Sequence, residues 1–180
     1  MHDYACLITL FNGCFEKSFN TRLVCGTDEP IYLPADAQHP YHRICFAHGF
    51  FSSALHECAH WFIAGEARRQ QVDYGYWYKP DGRTAEEQLL FQTVEVKPQA
   101  IEWILSTAAQ YPFQFSIDNL EGEDMDHEPF KTAVREQVAW YQTHRLPERA
   151  ELFRQTISDF FMKTTEQSVP VHEALKGFAD

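Results

Sequence analysis

Several things are missing from this chain, and each absence narrows what it can be. No apolar run of about 18 residues occurs that would span a bilayer, and the opening "MHDYACLITLFNGCF" lacks the basic, apolar, small-residue pattern of a secretory leader. Paired cysteine spacing is absent too. Cys6, Cys14, Cys25, Cys45 and Cys58 are odd in number, crowd the first third and form no C-x-x-C, so buried reduced thiols of a cytoplasmic protein are expected rather than a disulfide framework. Basic excess is lacking as well: the net charge of −11 argues against a phosphate-tracking surface and so against nucleic acid as the main partner. Repeats, low-complexity blocks and Ser/Gly-rich linkers are missing, which leaves 180 residues to be read as one domain.

What is present is a hydrophobic share of 44% and an aromatic share of 15%, with 15 Phe, 8 Tyr and 4 Trp. That is enough for a sizeable core, with rings to spare for a cleft. Periodicity predicts an α+β domain with a small sheet and a majority of helix. "ACLITLFNGCFEKSFN" has helical spacing, while "PIYLPA", bracketed by Pro30 and Pro34, reads as an edge strand and "HRICFAH" as a second strand. "GFFSSALHECAHWFIAGEARRQQ" reads as one long helix capped by Ser52 or Ser53, with Arg68 and Arg69 at its C-terminal end. "VDYGYWYKPDGR" predicts a strand or ordered loop followed by a turn. In "TAEEQLLFQTVEVKPQAIEWILSTAAQ" Pro98 is expected to break the helix or start a new one. "FQFSID" is a strand candidate, and two more helices follow over roughly 127–163.

The chemistry-bearing pattern is H-E-x-x-H at His56, Glu57 and His60. Positions i and i+4 lie on one face of a helix, so both imidazoles can reach one metal ion while Glu57 points aside, near an open coordination position. Leu55, Cys58, Ala59, Trp61, Phe62 and Ile63 make the same helix apolar on most sides. Buried imidazoles there need partners, and a shared metal satisfies both. The third ligand stays open between several carboxylates. Glu66 stands where compact peptidases place theirs, but the glycine they use for the turn is missing, Ile63 occupying its position, and Glu66 faces away if the helix continues. Asp73 is within reach. Glu86 and Glu87 suit a helix N-terminus. Glu95, between Val94 and Val96, is costly to bury unless a metal or a cation such as Lys97 meets it. Two histidines and one carboxylate serve both non-haem iron(II) oxygenases and zinc hydrolases. A zinc peptidase with Glu57 as general base is therefore an alternative, and so is a metal-stabilised docking domain without catalysis.

The words "EPIYLPA", "HECAHWFIAG", "VDYGYWYKPDGR", "VEVKPQAIEW" and "DNLEG", in this order from about residue 20 to about residue 122, closely resemble the elongation factor P hydroxylase family. The resemblance implies a monooxygenase that hydroxylates the β-lysylated lysine of bacterial elongation factor P, using iron(II) and dioxygen. It also implies a fold similar to the YbeY-type, zincin-like metalloenzymes. Carried over residue by residue, it assigns His56 and His60 from "HECAH" and Glu95 from "VEVKPQ" as metal ligands. The H-x-D pair and the arginine pattern of 2-oxoglutarate oxygenases are absent, which leaves the electron source open. A long polyamine side chain calls for acids and rings. "VDYGYWY" supplies Asp73, Tyr74, Tyr76, Trp77 and Tyr78, and "DNLEG" supplies Asp118 and Glu121.

Overall fold

A computed structural model describes residues 2–26, 28–74, 83–117 and 126–168, with only the backbone of 164–168. Among these residues the fold is α+β, as expected: five α-helices and a three-stranded sheet. Helix α1, Tyr4–Phe19, opens on Asp3, whose carboxylate accepts the Ala5 N–H at 2.9 Å, and closes on Asn20 in the left-handed region. Leu7, Phe11 and Phe15 are spaced four apart and form its buried stripe. Strand β1, Thr21–Cys25, follows directly. Sequence periodicity did not mark it, because it is only five residues long and abuts a helix. Strands β2, Ile31–Leu33, and β3, His42–Phe46, are where they were expected. β3 lies in the centre, parallel to β1 and antiparallel to β2. β2 is therefore an edge, and its Tyr32 exchanges two backbone hydrogen bonds with Asp73, at 2.7 and 3.0 Å, which partly covers it.

The motif helix α2 is shorter than its periodicity suggested. It spans Phe51–Ile63, and Arg68–Gln70 form a separate 3₁₀ turn. Neither serine caps it. Phe50 is the N-cap residue, and the Ser53 hydroxyl instead accepts the Ala47 N–H, tying the helix start to the end of β3. The turn needs His48 and Gly49 at φ 53° and 67°, and a Cβ on Gly49 would stand 3.1 Å from the Tyr4 ring. The C-terminal end is held by side chains from elsewhere. Arg149 donates to the carbonyls of Phe62 and Ala64, at 3.1 and 2.7 Å, and Arg69 donates to Ala64 at 2.7 Å. These bonds satisfy the carbonyls that a helix end leaves open, and positive charge suits that end of the dipole. Burial, with Arg69 nearby, lowers the Arg149 pKa to about 10. The guanidinium also lies 4.3 Å over the Trp61 ring, so it closes the aromatic core of Phe11, Phe15, Trp61, Phe62 and Phe153.

Helix α3 runs unbroken over Ala85–Ala108 with Pro98 inside it, contrary to the expected break. Thr84 and Glu87 form a reciprocal capping box at its start. Its faces invert the usual amphipathic rule. Gln88, Gln92, Glu95, Gln99, Glu102 and Ser106, in alternating steps of four and three, are buried, while Leu89, Leu90 and Val94 are exposed. Ile101 and Leu105 join the main core, and Val96, Ala100 and Trp103 pack on helix α4, Glu128–Thr143. Helix α5, Glu148–Ser168, closes the core with Phe153, Ile157 and Phe161. The strand expected at "FQFSID" does not form over its described part. Residues 111–117 instead lie along α3, where the Gln99 amide donates to the Ser116 carbonyl at 2.7 Å and accepts the Ser116 N–H at 3.2 Å. A glutamine side chain has taken the place of a neighbouring strand.

All five cysteines are free thiols, but only Cys58 is buried and Cys25 is exposed. No helix among the described residues is long and apolar enough to cross a membrane. Arg149→Met keeps an apolar stem on Trp61 but removes both carbonyl bonds. It is expected to lower unfolding stability by about 1–3 kcal/mol in urea titration, with Arg69 limiting the loss at Ala64.

Candidate metal centre

Helices α2 and α3 meet through polar faces. From α2, His56 and His60 bring their Nε2 atoms to 3.0 Å of each other. From α3, the Glu95 carboxylate reaches both, with Oε1 3.3 Å from His60 Nε2 and Oε2 3.6 Å from His56 Nε2. The three side chains offer ligand atoms that all lie within 4.8 Å of one another. A metal bound by two donors at about 2.1 Å and at right angles separates them by about 3 Å, and a tetrahedral angle by about 3.4 Å. Two of the three edges fall in that range and the His56–Glu95 edge is slightly longer; the donor set of two imidazoles and a carboxylate suits zinc or iron(II).

The sequence reading missed Glu102. It stands seven residues, two helical turns, beyond Glu95, and its Oε2 lies 2.8 Å from His56 Nδ1. With the proton on Nδ1 donated to Glu102, the His56 ring turns its Nε2 toward Glu95 and His60 in the form that binds a metal. The seven-residue spacing was visible in "EVKPQAIE", but the expected break at Pro98 put the two glutamates on different helices.

Charge at the centre follows from three buried carboxylates. Burial disfavours a charged His56, but the hydrogen bond and charge of Glu102, with Glu95 and Glu57, outweigh it and push the pKa up to about 10. Burial pushes the Glu57 carboxyl upward; the two histidines oppose this and Glu95 and Glu102 add to it. Three acids in so little water call for a compensating cation. A metal ion against His56, His60 and Glu95 meets that demand, so these residues fit one.

The centre opens into a cavity of about 710 Å³. Its polar lining includes His56, Glu57, His60, Glu95 and Glu102, with Ser52 and Ser53. Tyr74, Phe91, Tyr111 and Phe115 add rings. Of the residues nominated from sequence for substrate contact, Tyr74 lines this cavity. Asp73 does not: it pairs with Arg68 and lines a small space of about 30 Å³ behind Glu57 and His60. Tyr76, Trp77, Tyr78, Asp118 and Glu121 lie outside the described residues. Among the other carboxylates weighed, Glu66 is exposed on the turn beyond α2, and Glu86 and Glu87 are exposed at the α3 start. Lys97 is exposed while Glu95 is buried against the histidines. Phe91, which carries the buried Arg83 guanidinium 4.1 Å from its ring, and Tyr111 and Phe115 carried no local signal of a site.

Metal content measured by elemental analysis is expected to vanish in Glu95→Ala and to persist in Glu66→Ala. Glu102→Ala is expected to weaken metal binding by about 10–100-fold in calorimetric titration, with the fold retained.

Comparison with known proteins extends the geometry. The sequence profile described as elongation factor P hydroxylase matches residues 10–170. The elongation factor P lysine hydroxylase of Haemophilus influenzae is 54% identical over 168 residues, which is 93% of each chain. A match of this length, running through the centre and both of its helices, shows that the chain belongs to the elongation factor P hydroxylase family.

Proposed function

We propose that this chain hydroxylates the β-lysylated lysine of elongation factor P in the cytoplasm, with iron(II) held by His56, His60 and Glu95. One observation carries the reading: two imidazoles and a buried carboxylate converge on one point, open on a cavity, in a chain of the hydroxylase family. Iron(II) in such a site supplies the one-electron chemistry that lets dioxygen react with a C–H bond.

The chain's own residues supply the rest. Glu102 keeps a proton on His56 Nδ1 and so holds the ring in one orientation. The cavity takes an elongated aliphatic amine. Tyr74, Phe91, Tyr111 and Phe115 exclude water from its methylenes, and ring faces with nearby carboxylates favour its ammonium groups. Glu57 lines the cavity beside both histidines, and burial raises its pKa in the direction that suits a group exchanging protons there. Inserting one oxygen atom into C–H and reducing the other to water consumes two electrons and two protons. The electrons come from an external reductant, and Glu57 is placed to pass a proton. Kinship with the YbeY-type, zincin-like fold belongs to the same proposal; its support is the H-E-x-x-H helix packed against β3.

Mass spectrometry of β-lysylated elongation factor P, incubated with the iron(II)-loaded chain, air and a reductant, is expected to show one added oxygen atom. Glu57→Gln is expected to keep its metal and lose about 10²–10⁴-fold in rate. No oxygen gain across several reductants would sink the proposal.

A further inference from the structure

After α3 the chain returns along that helix as the segment 111–117, which belongs to no helix and no sheet. Tyr111, Phe113 and Phe115 are half-buried, and Pro112 and Gln114 between them are exposed. A period of two is that of an extended chain, whose successive side chains point to opposite sides. Both ends are tied down. The Tyr111 N–H donates to the Ser106 carbonyl at 2.8 Å. At the far end Gln99 pairs with both backbone groups of Ser116, and Gln88 and Arg83 donate to the Ile117 carbonyl at 3.1 and 3.2 Å. In the middle Phe113 stacks on Trp103 at 5.0 Å, and Phe115 meets the same ring edge-on at 5.6 Å.

The ends are thus held through their backbone and the middle through its two phenylalanine rings, but the backbone of the middle is not held. The N–H and C=O groups of Phe113, Gln114 and Phe115 make no hydrogen bond among the described residues. An extended, anchored stretch with unmet backbone groups has the properties of an open sheet edge, which recruits another extended chain. Gln114 and Phe115 also line the cavity that holds the metal centre. A side chain inside that cavity and a strand on this edge would therefore occupy one continuous surface.

We propose that residues 113–115 form a rail on which the substrate polypeptide docks by main-chain pairing, laying a short extended segment beside them while its modified lysine enters the cavity. The proposal rests on the reading of this chain as a hydroxylase of a protein side chain, and it adds how the protein part is held. Main-chain pairing needs flanking peptide bonds, so it selects a lysine within a polypeptide over the free amino acid. Because alternate residues of a paired strand turn their N–H groups to opposite edges, only every second substrate amide takes part.

The test uses the metal-loaded full chain and three probes: β-lysylated elongation factor P, a peptide carrying the same modified lysine with its flanking residues, and that lysine as a blocked single residue. Hydrogen exchange at the amides of Phe113 and Phe115, which share the edge opposite the one that Ser116 turns to Gln99, is expected to slow about tenfold with the first two probes and to stay unchanged with the third. N-methylation of one alternating set of peptide amides is expected to weaken binding at least tenfold, and methylation of the other set to leave it intact. Oxygen gain on the factor without protection at 113–115, or equal effects of the two methylated sets, overturns the docking mode and leaves the hydroxylase reading standing. Protection without oxygen gain supports the rail and overturns the hydroxylase reading. Loss of both overturns both.

Discussion

The contact on which the rest of this structure depends is the meeting of α2 and α3 through polar rather than apolar faces. Helix pairs inside small proteins normally bury their apolar stripes. Here His56 and His60 face Glu95 and Glu102 across the interface, while Leu89, Leu90 and Val94 of α3 are exposed. Such an arrangement is stable only if every buried charge finds its opposite. The two imidazoles and the carboxylates compensate one another in part, and a cation at their focus would complete the balance.

The remaining architecture holds that interface at a fixed geometry. The motif helix is anchored at both ends by groups outside it: Ser53 and the His48–Gly49 turn at the start, Arg149 and Arg69 at the finish. Its apolar side is pressed into a cluster of phenylalanines around Trp61, so neither rotation nor sliding is open to it. The polar stripe of α3 does two jobs in sequence. Glu95 and Glu102 serve the centre, and Gln88 and Gln99 fasten the returning strap that forms part of the cavity lining. Pro98 sits between these groups without ending the helix; in that buried setting, packing outweighs the hydrogen bond that a proline forfeits.

Particular elements show where local reasoning suffices. The α1 stripe of Leu7, Phe11 and Phe15, the strands at Ile31–Leu33 and His42–Phe46, and the place of Glu86 and Glu87 at a helix start all follow from side-chain period or from charge suited to a helix N-terminus. Where the deciding partner is remote, the same reasoning misleads. Helix α2 stops at Ile63 because Arg149, 85 residues beyond Ala64, takes its last carbonyls. Residues 111–117 look like a strand and are nearly one, but a glutamine side chain occupies the position of the next strand.

The sequence by itself determined the α+β class, the H-E-x-x-H pair on one helical face, the short list of carboxylates and the family, because each depends on spacing along the chain or on words within it. Tertiary structure decided which carboxylate stands against the histidines. Glu66 is six residues from His60 yet exposed, whereas Glu95, 35 residues away, lies 3.3 Å from its ring. It also revealed Glu102, which shares a face with Glu95 only because α3 passes through its proline intact. Ligand convergence is a property of two helices packed together, and the spacing along either one does not contain it.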